Sequence, residues 1–305
     1  MHIVIVGAGV IGSVYGAHLG AAGHRISVLA HGERTTTVSA QGLRVRDVTT
    51  GSETYSPAEL VSTVRQPDID LVLVAVRREQ LSAVAAALAE VPPGALVLFM
   101  GNNPSGRSGL PGLSEASVAL GFPGVGGSYA DGLVTYYRIA QQPTAIEASD
   151  EPRLAALSGV LASRGLAVQR VPDMDGWLAY HAVFIAAVSA ALYRCGTDPV
   201  RLAGDRGTLK LMCAAITEGF QALKAMHVGG CPRNLATLHS PWLAPVAVTY
   251  WARAMRSPMG ELAFAAHARR AETEMRGLAS DVMNEVAGTT ATAAIHKLLT
   301  GPQPQ

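Results

Sequence analysis

The chain has 305 residues, 49% apolar and 15% charged, with a net charge of +1. At ~150 residues per domain this predicts two domains with ample core, which excludes a disordered chain. The near-zero charge, without a basic run, excludes nucleic acid as an expected partner, and three scattered cysteines form neither a disulfide framework nor a metal site.

The opening "HIVIVGAGVIGSVYGAHLGAAGHRISVLAHGER" reads as strand, glycine turn, helix and strand. "HIVIVG" is too short for the apolar core of a signal peptide and breaks at once into glycines, so a cytoplasmic protein is expected. "IDLVLVAV" and "ALVLFM" are continuous apolar runs, the pattern of central parallel strands covered on both faces. "REQLSAVAAALAEV" between them reads as a helix closed by Pro92 and Pro93. Residues 107–128, rich in glycine, serine and proline, read mainly as loop. "GLVTYYRI" and "PTAIEA" read as antiparallel strands, then "EPRLAALSGVLASRG" and "LAVQRV" as a last helix and strand.

Beyond Pro172 the pattern becomes helical: residues 175–195, 205–227, 241–255 and 259–287, with no strand between them. The sequence thus predicts an α/β Rossmann-type domain over 1–172 and an all-α domain over 173–305. The tail "TGPQPQ" is expected to fray. The segment "DGWLAYHAVFIAAVSAALY" approaches the length of a membrane span, but His181 and Ser189 interrupt it and basic flanks are lacking. A buried core helix is expected, and no membrane partner.

"GAGVIG" directly follows a strand and opens a helix, the context in which G-x-G-x-x-G binds a dinucleotide. Gly7 is expected to make the turn, Gly9 to let the backbone approach the pyrophosphate, and Gly12 to let helix and strand pack closely. Val10 and Ile11 begin the helix whose free N–H groups face the phosphates. After the second strand, an NAD site wants an acid and an NADP site cations. "AHGER" supplies His31 and Arg34, with Glu33 between them. Arg34 favours NADP(H), while Glu33 either points away or meets a ribose. At the carboxyl edge of the sheet lie Arg77, Arg78, Asn102 and Asn103, where ligands of such folds bind; as turn formers alone the asparagines are unremarkable.

These motifs, with "VLVAVRREQL", "FMGNNPSG", Trp177 opening the first long helix and "RSPMGELAF" before the last, resemble the ketopantoate reductase family over nearly the whole chain. The resemblance implies NADPH-dependent reduction of a 2-oxo acid, a homodimer, and a helical domain like the C-terminal domain of 6-phosphogluconate dehydrogenase. It implies Arg77 at the position of a family lysine, Asn102 in the loop that carries the family's asparagine, Ser257 as a substrate-binding serine, and Glu272 or Glu274 as the glutamate of the last long helix. Glu272 is taken as the catalytic candidate beside Asn102.

The family's Trp-x-Lys-Leu-x-x-Asn departs here: Ala179 stands at the lysine and Val183 at the asparagine. The only lysines, Lys210, Lys224 and Lys297, lie elsewhere in the sequence. A ketone reductase needs a group to protonate or stabilise the developing alkoxide. His181 has suitable chemistry. Yet it stands about 200° around the helix from Ala179, at ~3.6 residues per turn. It is either the proton donor or a packed core ring, and Tyr180 is a lesser candidate for contact with substrate. The expectation is an NADP-dependent oxidoreductase acting on a ketone or imine of a small molecule other than ketopantoate. A nucleotide-binding relative without redox activity, structural or regulatory, is the alternative.

Overall fold

Ile3, Val4, Ile5 and Val6 of β1 (His2–Val6) are buried on both faces, which is why the strand is apolar without alternation. The computed structural model describes residues 1–110, 118–287 and 293–301. Two units divide the chain: Met1–Gly101 with Arg107–Met174, and Asn102–Gly106 with Asp175–Gln305.

In the first unit β1 is followed by α1 (Val10–Gly20), β2 (Arg25–Leu29), α2 (Glu33–Gln41), β3 (Leu43–Asp47), β4 (Glu53–Ser56), β5 (Glu59–Leu60) and β6 (Leu71–Val74). Then come α3 (Leu81–Leu88), β7 (Leu96–Met100), β8 (Val118–Phe122), β9 (Val125–Ala130), β10 (Leu133–Arg138), β11 (Thr144–Glu147), α4 (Pro152–Ser163) and β12 (Val168–Val171). The larger sheet runs β12-β11-β8-β7-β6-β1-β2-β5. From β5 to β8 its strands are parallel, with Ile3 level with Ile26 on one side and Leu71 on the other. Parallel strands with intervening helices give the Rossmann-type arrangement, whose ligand edge is the carboxyl end.

A second sheet, ordered β4-β3-β10-β9, covers α1. This explains why α1 is small and apolar all round. A Cβ on Gly16 would stand 2.6 Å from Leu43 of the second sheet and 3.3 Å from Ile5 of the first. The polar side chains of α1 find buried partners: Tyr15 Oη lies 2.7 Å from Thr144 Oγ1, and His18 Nε2 lies 2.9 Å from Tyr136 Oη.

Two expectations need correction. Residues 107–128 are not mainly loop, since β8 and most of β9 lie there; residues 111–117 fall outside the described residues. The glycines that suggested a loop instead permit close strand packing, as a Cβ on Gly121 would stand 2.5 Å from Met100 Sδ. Nor do β10 and β11 pair with each other: β10 runs antiparallel to β9 in the second sheet, and β11 antiparallel to β8 in the first.

The second unit is helical, as expected: α5 (Met174–Arg194), α6 (Pro199–Gly204), α7 (Arg206–Ala225), α8 (Arg233–Leu238) and α9 (Ala244–Arg256). A π-helical segment, Gly260–Ala265, leads into α10 (Ala266–Arg270), α11 (Glu272–Val286) and α12 (Ala293–Thr300). The single helix expected over 259–287 is therefore interrupted, with the break at Ala271 (φ −120°, ψ 34°). Asp198 and Asp205 cap α6 and α7 through backbone N–H bonds of 2.8 and 2.9 Å, respectively. By length and composition α5 is apolar enough to cross a membrane, but it is buried as the central helix of this unit's core.

Candidate functional site

The glycine loop between β1 and α1 has three geometries for three glycines. Gly7 has φ +97°, and a Cβ there would stand 2.8 Å from the Ala75 carbonyl oxygen and Val76 Cγ1. A Cβ on Gly12 would overlap the Gly7 carbonyl oxygen, so this glycine lets α1 press onto the strand end. Gly9 is exposed and a Cβ on it would meet nothing within 4 Å. Space for a ligand is therefore at Gly9, while Gly7 and Gly12 build the turn. No side chain caps α1, whose first hydrogen bond runs from Ser13 N–H to the Gly9 carbonyl at 3.0 Å. Val10, Ile11 and Gly12 thus have no acceptors within the helix, and the positive dipole end suits an anion.

His31 and Glu33 are exposed beyond the end of β2, on either side of Gly32 (φ +63°). Arg34 turns back under the glycine loop. Its Nε donates to the Ala8 carbonyl at 2.7 Å and its Nη2 to Ser13 Oγ at 3.0 Å. The guanidinium carbon lies 3.9 Å from the ring centre of Tyr129, whose hydroxyl is 3.1 Å from Thr37 Oγ1. Only Nη1 is left, buried and without a partner among the described residues. Ser13 and Tyr129 were not anticipated; Tyr129 arrives on β9 of the second sheet, which carries no local signature.

Arg77 follows β6 with an exposed side chain, and its backbone N–H donates to Gln80 Oε1 at 3.1 Å. Residues 102–106, after β7 and Gly101, group with the helical unit. Asn103 Nδ2 donates to the Gly106 carbonyl at 2.5 Å and shapes this turn. Asn102 Nδ2 donates to Glu274 Oε1 at 2.8 Å, leaving its Oδ1 buried and without a partner among the described residues. Glu274 is 7% exposed, whereas Glu272 lies on the surface in an ion pair with Arg276. The placement of Glu272 beside Asn102 is thus corrected: the first residues of α11 turn Glu274 inward and Glu272 outward.

His181 is buried, stacked on Trp177 with ring centres 5.0 Å apart and planes 8° apart, and edge-on to Phe184 at 5.9 Å. Burial, assisted by the charge of His267, pushes its pKa down to about 3, so the ring is neutral at pH 7. Tyr180 Oη donates to the Val228 carbonyl at 3.1 Å. Ala179 and Val183 are buried, and a Cβ on Gly219 of α7 would stand 2.5 Å from Val183 Cγ1. Val183 thus belongs to a helix–helix contact between α5 and α7. Ser257, at the end of α9, donates its hydroxyl to the Ala254 carbonyl at 2.7 Å.

A Ser–His–Asp arrangement occurs elsewhere in the first unit. His2 Nε2 is 2.8 Å from Ser27 Oγ, and Nδ1 is 3.2 Å from Asp68. Ser27 is fully buried, so no substrate reaches it and the arrangement is structural.

Residues 3–105 match the family described as ketopantoate reductase PanE/ApbA. No curated protein matches the chain. Solved structures share the fold along almost its whole length. One is 2-dehydropantoate 2-reductase from Geobacter metallireducens GS-15, with 15% identity, 98% of each chain covered and a TM-score of 0.77. A PanE/ApbA family ketopantoate reductase from Ralstonia eutropha JMP134 has 22% identity, 94% of this chain and 99% of its own covered, and a TM-score of 0.67. D-mandelate dehydrogenase, solved with NADH and anilino(oxo)acetate, has 15% identity, 98% and 96% covered, and a TM-score of 0.71. At these identities the likeness establishes the fold. The matched segment includes the glycine loop, Arg34, Arg77 and Asn102; Ala179, Tyr180, His181, Ser257 and Glu274 lie beyond it.

Proposed function

We propose that the protein is an NADP(H)-dependent oxidoreductase that reduces a ketone or imine of a small substrate other than ketopantoate. The observation that carries this reading is the glycine loop, where Gly9 alone is open while Gly7 and Gly12 are closed in by their neighbours. The preference for the phosphorylated cofactor rests on the end of β2: Leu29, Ala30, His31 and Gly32 include no carboxylate, and Arg34 stands close by. The bound nicotinamide would supply the hydride.

The chain's own residues bind and orient. First-turn amides of α1 hold phosphate oxygens. Asn102, its amide oriented by Glu274, keeps Oδ1 as an acceptor for a hydroxyl or amide of a ligand. Ala179 has no proton to give, His181 is held neutral, and the Tyr180 hydroxyl is engaged with a carbonyl. A ketone reduced here would take its proton from water, whereas an imine enters already protonated, and a polar 2-oxo acid that depends on a lysine acid is therefore a poor substrate. The D-mandelate dehydrogenase fold relative, with its anilino(oxo)acetate, supports testing aryl 2-oxo acids.

Val183 packed against Gly219 favours the second reading, a nucleotide-binding protein without redox activity. Titration with NADPH followed by assay separates the two: the first reading requires saturable binding and NADPH oxidation with some carbonyl or imine substrate, the second binding alone. Absence of binding to either dinucleotide would sink both.

A further inference from the structure

We propose that Tyr129 is a positioning residue for the cofactor's adenosine end, acting through Arg34 on the glycine loop. The inference rests on the cofactor reading above and adds a residue from the second sheet to it. Four elements meet at the guanidinium. Ala8 lies in the loop, Ser13 in the first turn of α1, Arg34 in the first turn of α2, and Tyr129 on β9. Arg34 Nε and Nη2 bond to Ala8 and Ser13, and Ser13 Oγ in turn donates to the Ala8 carbonyl at 3.2 Å. This triangle fixes the peptide between Gly7 and Gly9, whose neighbouring amides would hold the phosphates of a bound dinucleotide.

The flat face of the guanidinium is held by the Tyr129 ring at 3.9 Å, and that ring is anchored by its hydroxyl on Thr37 of α2. Stacking restrains rotation of the plane, which in-plane hydrogen bonds do less well. With two of its edges used, Arg34 keeps its charge beneath the glycine loop, its Nη1 buried and without a partner among the described residues. The orientation of that nitrogen is then set by Tyr129. A positive charge held in one place beside the end of β2 favours a 2′-phosphate over a 2′-hydroxyl, so the ring that holds the guanidinium there controls selectivity between NADPH and NADH.

The test measures dissociation constants for NADPH and for NADH by fluorescence titration, with melting temperatures, for the unmodified full chain and for Tyr129→Phe, Tyr129→Leu and Ser13→Ala. Tyr129→Phe keeps the ring and is expected to keep the NADPH:NADH affinity ratio within about twofold. Tyr129→Leu is expected to lower that ratio about 3- to 30-fold by weakening NADPH more than NADH, the range of a partly desolvated cation–π contact. Ser13→Ala removes the second anchor and is expected to lower the ratio about 2- to 5-fold, which decides the matter should Tyr129→Leu not fold. An unchanged ratio in a folded Tyr129→Leu variant, or in Ser13→Ala where the former does not fold, overturns the proposal while leaving the cofactor reading intact. An unmodified chain that binds neither dinucleotide overturns both.

Discussion

Asn102 donates from Nδ2 to Oε1 of Glu274 at 2.8 Å, and Glu274, two residues beyond the exposed Glu272, is the inward carboxylate of α11. Removing the buried Glu274 carboxylate takes the acceptor from a half-buried amide, which costs about 1–3 kcal/mol. Glu274→Ala is therefore expected to lower unfolding stability by that amount in urea titration. Glu272→Ala, which loses only a surface ion pair, should change it by less than about 1 kcal/mol. Equal losses would show that the buried contact is not maintained.

The glycine loop separates folding from binding. Gly9 already has φ −71° and open space beside it, so Gly9→Ala should fold with stability unchanged within about 0.5 kcal/mol. Its methyl would stand where the pyrophosphate approaches, raising the NADPH dissociation constant about tenfold or more. Gly12→Ala should instead destabilise the fold by about 1–3 kcal/mol, since the new Cβ overlaps the Gly7 carbonyl. Calorimetric melting and titration of both variants read the two effects. Tight NADPH binding by Gly9→Ala would place the cofactor elsewhere.

Val183 and Gly219 offer a packing test. Gly219→Ala would bring a methyl to 2.5 Å from Val183 Cγ1 and 3.0 Å from Ile295 Cδ1. A loss of about 1–3 kcal/mol is expected, partly recovered in the Gly219→Ala/Val183→Ala double variant. Strict additivity of the two substitutions would contradict the contact. Val183→Asn, which would match the family pattern, should destabilise by burying an amide between helices.

How far this was legible depends on the range of each interaction. The glycine roles follow from the six consecutive residues Gly7–Gly12 and their neighbours, so strand, turn and helix expose them. The double-faced burial of β1, β6 and β7 is written in their unbroken apolar runs. The spacing of His181 from Ala179 already pointed to opposite helix faces, and its stack on Trp177, four residues earlier, is the consequence. Tyr129 beneath Arg34, and Val183 against Gly219, are pairings between distant segments that no periodicity records. The inward choice of Glu274 depended on where α10 breaks into α11, a one-residue matter at Ala271.

Three buried histidines predict acid lability. Burial lowers His18 to about 4, aided by the charges of Arg164 and Arg138; burial lowers His239 to about 4 and His181 to about 3. His239 Nε2 also accepts from Trp251 Nε1–H at 3.2 Å, so protonation there would set two donors face to face. The unfolded chain binds these protons near pH ~6.5 and the fold refuses them. Stability should therefore be level above about pH 6.5, with respect to these groups, and fall as the pH drops towards 3–4. Urea midpoints at a series of pH values measure this; a midpoint that rises on acidification through that window would contradict the assignment.

The most direct measurement is NADPH oxidation by the purified chain with ketopantoate, aryl 2-oxo acids and cyclic imines as separate substrates. The account predicts turnover with an aryl or imine substrate, and ketopantoate slower than an ordinary reductase rate by about 10²–10⁴-fold, the effect of a missing general acid. Ketopantoate reduction at an ordinary enzymatic rate would contradict it.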